Sequence, residues 1–282
     1  HAAGVRWFDV APSYGDGEAE RVLGQFLREV GCEARVCTKA GIAPGRVSSA
    51  KRLVRPLVRA ALDLAPGLRE TIRRLRPPAE KQPITGALIT RSIDESLARL
   101  GTEYVEVLAL HDASPEEAAR EDVLRALESA RASGKARGIG IASSADAVLA
   151  ALAVSELYDH VQYANNPYAP GHSEVVRALA ARPIRLVTHS VFGNPSVAGQ
   201  LAARIAGDAQ LRGMMQAAGY EGDAAALARA FLPDHAIAAE RTDIVIMSMY
   251  SPGNLAANLK HQERATGLDR AAIAAIAARI SS

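Results

Sequence analysis

Short runs rich in Val, Ile and Leu alternate with amphipathic segments along almost the whole chain, and that alternation constrains the fold more than any other feature. The runs are residues 5–11 (VRWFDVA), 34–40 (ARVCTKA), 104–111 (YVEVLALH), 136–142 (ARGIGIA), 160–164 (HVQYA), 184–190 (IRLVTHS) and 242–249 (TDIVIMSM). Several are apolar at consecutive positions, as expected of parallel strands covered on both faces. The segments between them carry helical spacing. In 18–30 (EAERVLGQFLREV), residues Val22, Leu23, Phe26, Leu27 and Val30 are expected along one buried stripe. Residues 89–100 and 121–138 repeat the pattern, the second stopping at a glycine-containing turn.

Strand and helix in alternation imply a parallel sheet with right-handed crossovers. A (β/α)8 TIM barrel needs eight strands, and seven candidates are found. An open doubly wound sheet would carry a Gly-rich phosphate turn after its first strand. Residues 9–18 (DVAPSYGDGE) lack GxGxxG, so the barrel is favoured. The 282 residues suit a single barrel domain, 1–282, with two insertions that break the rhythm, at about 43–83 and 194–240. The first holds ten Lys/Arg, from Arg46 to Lys81, against Asp63, Glu70 and Glu80. It reads either as a basic lid or as surface helices with solvated Arg faces.

Composition narrows the function classes. A net charge of +2 gives no strong polyanion binder, so nucleic acid is not expected as a partner. Cys32 and Cys37 show no metal-ligand or framework spacing, which points to a reducing compartment and no structural metal. No apolar run approaches the roughly 18–20 residues that cross a bilayer, and no signal-peptide pattern opens the chain. The expectation is a cytoplasmic protein with no membrane partner.

In a parallel barrel the site lies at the C-terminal ends of the strands. Asp9 closes the first run, Lys39 the second and His111 the third, with Tyr14 in the loop after Asp9. Singly, each has an ordinary structural explanation: a cap, a strand end, a rim histidine, a turn residue. At successive strand ends, the four together suit proton transfer to a carbonyl oxygen. A phenol titrating near 10 needs a neighbouring cation to be a useful acid at neutral pH. Lys39 is placed to be that cation, with Asp9 holding the ammonium and keeping it charged.

The stretches GVRWFDVAPSYGDGEAERVLG (4–24), VCTKAG (36–41) and LALHD (108–112) resemble the signatures of the aldo-keto reductase superfamily, in their usual order. Gly4, Phe8, Asp9, Ala11, Tyr14, Gly15, Gly17, Glu20, Leu23 and Gly24 match the opening motif, with Val10 and Ala19 as departures. The resemblance implies a (β/α)8 barrel, a nicotinamide cofactor and hydride transfer between NAD(P)H and an aldehyde or ketone. Its partner would be a small-molecule carbonyl or alcohol. By the same resemblance Tyr14 is the general acid, Asp9 and Lys39 its tuning pair, and His111 the carbonyl-orienting group.

The resemblance also assigns cofactor contacts. Ser143 matches a serine at the nicotinamide amide, Ser144 stands in place of an asparagine beside it, and Gln162 matches the glutamine holding that amide. His189 occupies the position of a stacking aromatic ring, with Ser190 and Phe192 near the pyrophosphate. At the adenine end Ser251 and Asn258 are kept, while Ser248 and Asn254 stand where cations often grip a 2′-phosphate. NADP(H) is favoured on family habit and NAD(H) is possible, because charge-assisted phosphate contacts are lost. Family members carry a strand, usually after a hairpin, before the Phe-Asp motif. Residues 1–5 are too few for one, so the barrel is expected to lack its N-terminal hairpin and first strand. The alternative reading is an NADP(H)-binding regulatory or interaction subunit with little or no turnover.

Overall fold

The computed structural model describes residues 1–31, 34–43, 81–193, 196–249 and 251–282. The basic segment from Arg46 to Glu80 lies outside the described residues. The chain divides into two compact units, one of residues 1–111 and 121–137, the other of residues 112–120 and 138–282.

The first unit is built on strands β1 (Trp7–Asp9), β2 (Arg35–Ala40) and β3 (Val105–His111). They run parallel in chain order, with Asp9 opposite Cys37 and Lys39 opposite Ala109. Around them are helices α1 (Glu18–Val30), α2 (Gly86–Leu100) and, after the short α3 (Pro115–Ala119) of the other unit, α4 (Glu121–Ala132). β3 is nearly continuous in Val, Leu and Ala, β2 interposes Thr38 and Lys39 among Val36, Cys37 and Ala40, and both are buried almost throughout.

The stripe expected on α1 needs correction. Val22 is 56% exposed, whereas Glu20 and Gly24 are the fully buried positions. Glu20 is drawn inward by partners on two other elements: Thr38 Oγ1 donates to its Oε1 at 2.7 Å and Arg99 Nε to its Oε2 at 2.5 Å. Gly24 lies against the end of α2, where a Cβ would come within 2.3 Å of the Leu100 carbonyl oxygen. Periodicity alone favours Val22 because it scores a glutamate and a glycine as outward-facing.

The second unit carries β4 (Ala136–Ala142), whose first residues fall in the other unit, then β5 (His160–Ala164), β6 (Arg185–His189) and β7 (Ile244–Val245). These are also parallel and in chain order, with Ala142 opposite Gln162, Ala164 opposite His189 and Thr188 opposite Val245. Helices α5 (Ala145–Val154) and α6 (His172–Leu179) follow β4 and β5. Residues 196–240, within the expected second insertion, form α7 (Ser196–Gly207), α8 (Ala209–Ala217) and α9 (Ala224–Ala238). With α11 (Arg270–Ser281) they enclose a core of Leu201, Ile205, Leu211, Phe231, Ile273 and Ile276. Between β7 and α11 lies α10 (Pro252–Arg264).

All seven expected strands are therefore present. β1 and β7 are shorter than their apolar runs, and no strand precedes β1 among the described residues. β1 pairs with β2, and β7 with β6.

Candidate active site

Asp9, Tyr14, Lys39 and His111 all belong to the first unit. The facing of β2 follows from Thr38, which reaches the α1 carboxylate of Glu20. Side chains alternate along a strand, so Cys37 and Lys39 point the other way, away from that helix. There Lys39 is 2% exposed and its Nζ is paired with Asp9 Oδ1. The same ammonium donates to the Val10 carbonyl at 3.3 Å. Burial alone would lower the Lys39 pKa, but Asp9 and the neighbouring Cys37 and Tyr14 outweigh it, and the pKa is raised. The lysine is a fixed cation at neutral pH.

Tyr14 opens a single 3-10 turn (Tyr14–Gly17), with its amide donating to the Ala11 carbonyl at 3.0 Å. Its ring centroid is 5.1 Å from Lys39 Nζ and 5.9 Å from the His111 ring, edge to face at 86°. At 42% exposure it is one of the few large hydrophobic side chains left open. Its pKa is raised: burial of the hydroxyl pushes it up, Lys39 opposes, and Asp9 adds to the rise. The lysine thus pulls in the expected direction without overcoming desolvation in the unliganded protein.

His111 ends β3 beside Gly41, which follows β2. Gly41 has φ +139°, and a Cβ there would lie 2.7 Å from the His111 carbonyl oxygen and 2.9 Å from Ile84 Cδ1. Only glycine lets the end of β2 approach the end of β3 this closely.

The residues expected to contact a cofactor all lie in the second unit, Gln162 within β5 and the others at or after the C-terminal ends of β4, β6 and β7. Ser143 Oγ donates to the Ala113 carbonyl at 2.7 Å, and Ser144 caps α5 by accepting from the Ala147 amide. Gln162, in the middle of β5, is 5% exposed. His189 Nδ1 lies 2.8 Å from Ser190 Oγ, and Ser190 itself is left-handed at φ +53°. Phe192 packs against the α7–α9 core. Ser251 caps α10 through the Asn254 amide at 3.1 Å, and Asn258 Nδ2 donates to the Ser248 carbonyl at 3.3 Å. Ser248 and Asn254 are exposed and uncharged.

These residues fit a nicotinamide group on one observation in particular. Gln162 brings a buried amide, with the donor and acceptor that a carboxamide requires, to β5. Asn165, just beyond β5, has a buried Nδ2 without a partner among the described residues. Sequence reading passes over it, and the only signal was the Asn-Asn-Pro that ends the strand run. It gives no structural role to Glu20 or Arg99. No grouping of His, Cys, Asp and Glu suited to a metal occurs among the described residues, and none of their helices is long and apolar enough to cross a membrane.

Residues 1–278 match the aldo/keto reductase family. The chain belongs to that family. It is 33% identical over 204 residues to a D-threo-aldose 1-dehydrogenase of a Pseudomonas species, covering 68% of this chain and 57% of that protein. Against a pyridoxal 4-dehydrogenase of Microbacterium luteolum it is 29% identical over 167 residues, covering 49% of this chain and 42% of the other. The aldo/keto reductase chain thus spans about half the length of these relatives. Among solved structures, an aldo-keto reductase of Bacillus halodurans in its holo form superposes with a TM-score of 0.69 at 16% identity, covering 98% of this chain and 83% of that one. The glycerol dehydrogenase of Gluconobacter oxydans gives 0.65 at 16% identity, covering 99% and 82%. The fold is the (β/α)8 fold of that family with seven strands described in place of eight.

Proposed function

We propose that this aldo/keto reductase interconverts an aldehyde or ketone and its alcohol, with Tyr14 as the proton donor in the reducing direction. The observation that carries the reading is the buried Lys39–Asp9 pair beneath a partly open tyrosine that also touches His111. When bound, a nicotinamide cofactor supplies or takes up the hydride. Tyr14 Oη gives its proton to the oxygen of the carbonyl as negative charge develops there. The Lys39 ammonium, kept charged by Asp9, stabilises the phenolate left behind. His111, at ring contact with Tyr14, orients the carbonyl oxygen toward the phenol.

With its pKa raised by burial, Tyr14 is protonated at rest and a weak acid until charge develops on the substrate oxygen. Charge on the tyrosine appears only as the proton leaves, and then the nearby cation acts most strongly. Gln162 would hold the cofactor carboxamide, with Ser143 and His189 beside the ring. We take the cofactor to be NADP(H), with NAD(H) accepted. Ser248 and Asn254 provide no charge for a 2′-phosphate, so discrimination between the two should be weak. Binding is tested by quenching or enhancement of NADPH and NADH fluorescence on mixing. Dissociation constants within about tenfold of each other support the assignment, a difference of about 1.4 kcal/mol or less. Binding without any loss of NAD(P)H absorbance across a panel of aldehydes and ketones would favour a regulatory subunit instead.

A further inference from the structure

Asp234 is a fully buried carboxylate that the proposed reaction does not use. It sits in α9 and accepts donors from two other parts of the chain. Tyr220, beyond the end of α8, donates its hydroxyl to Oδ2 at 3.1 Å. From the last turn of α10, His261 Nδ1 donates to Oδ1 at 2.6 Å and Arg264 Nη2 to Oδ2 at 3.2 Å. A carboxylate taken out of water needs such donors to offset its lost hydration.

For α10 these bonds are an attachment. Its buried residue is Asn258, which bonds back to the Ser248 carbonyl just before the helix. Among the described residues, every hydrogen bond from α10 to another helix ends on Asp234. Packing does less at this end, because a cavity of about 340 Å³ lies beside Arg264, lined also by Ala218, Leu268 and Ile273. The other end of α10 starts from Ser251 and carries Asn254, where the adenine end of a cofactor is expected.

We propose that Asp234 is a positioning residue for cofactor binding: it ties α10 to α9 and so fixes where Ser251 and Asn254 meet the adenine end. The tie itself is independent of any reaction, and its effect on affinity rests on the nicotinamide-cofactor reading. A helix held in place beforehand costs less to order when the cofactor binds. Loosening it should weaken binding and leave Tyr14, Lys39, Asp9 and His111, which belong to the first unit, as they are.

The test compares Asp234→Asn and Arg264→Met, which weaken the link to α10, with Tyr220→Phe, which removes a bond to the same carboxylate but none to α10. Amide hydrogen exchange over residues 252–264 should speed up in the first two and stay at the parent rate in Tyr220→Phe. NADPH fluorescence titration should show affinity falling about threefold to tenfold in the first two and not in Tyr220→Phe. The KM for NADPH should rise in parallel, with kcat at saturating cofactor within about twofold of the parent. Unchanged exchange over α10, faster exchange with unchanged affinity, or an equal loss of affinity in Tyr220→Phe each overturns the proposal, the last by showing that the carboxylate acts through general stability. Should Asp234→Asn fail to fold, Arg264→Met decides, since that side chain is half exposed. A parent that binds neither NADPH nor NADH contradicts the function reading instead, and the exchange rates still judge the tie.

Discussion

Asp9 and Lys39 are each costly to bury alone and inexpensive together, which is why neither is replaceable by itself. Lys39→Met leaves a carboxylate with 6% side-chain exposure unpaired, and Asp9→Leu leaves an ammonium at 2%. Breaking a buried pair from one side costs about 3–5 kcal/mol. Chemical denaturation of Lys39→Met should show a loss of that size, and the double variant Asp9→Leu/Lys39→Met should recover part of it. No recovery would mean that the pair contributes little beyond packing. These residues were legible in the sequence because the chemistry is concentrated at strand ends inside dense local motifs. Asn165 was not, because one asparagine after a strand carries no signal until burial leaves its Nδ2 without a partner among the described residues.

Among the elements, α1 is fixed by a carboxylate as well as by the half-buried Leu23, Phe26, Leu27 and Val30 of its expected stripe. Glu20 joins α1 to β2 through Thr38 and to α2 through Arg99, whose Nη2 also reaches Ser96 Oγ at 3.3 Å. Glu20→Gln should lower stability by about 3 kcal/mol, since Arg99 loses its fully buried partner. Because Glu20 lies in the first turn of the helix that follows the Tyr14 turn, the same variant should reduce turnover without changing cofactor affinity. Gly24→Ala tests the close approach of α1 to α2 independently. Its methyl would overlap the Leu100 carbonyl, and the strain of overpacking is expected to cost about 1–3 kcal/mol. Equal thermal stability of Gly24→Ala and the parent would show that the helices separate freely. The sequence motif contains Glu20 and Gly24, yet Arg99 is 79 residues away, so their purpose emerges only with the tertiary contact.

On the scale of the whole molecule, the strand–helix rhythm made the fold class legible, whereas strand lengths at β1 and β7 depended on pairing that periodicity does not report. Acid sensitivity is another property that only the folded chain reveals. His235 stacks on Phe231, and burial, with a smaller contribution from His172, lowers its pKa to about 4. His172 is also lowered, by burial: its Nε2 donates to the Glu240 carbonyl and its Nδ1 accepts from the Tyr163 hydroxyl, which requires a neutral ring. Both histidines bind protons more readily unfolded, where they titrate near 6.5. Stability is therefore complete above that pH and falls as pH drops from about 6.5 towards 4. Melting temperatures measured from pH 8 to 4.5 should decline below about 6.5, and His235→Phe should flatten part of that decline. The central claim concerns Tyr14, and it is tested most directly by following NADPH absorbance with a panel of aldehydes for the parent and Tyr14→Phe. Decay is expected with the parent, none with Tyr14→Phe, and equal NADPH binding by both; undiminished decay in Tyr14→Phe would rule out the tyrosine as proton donor.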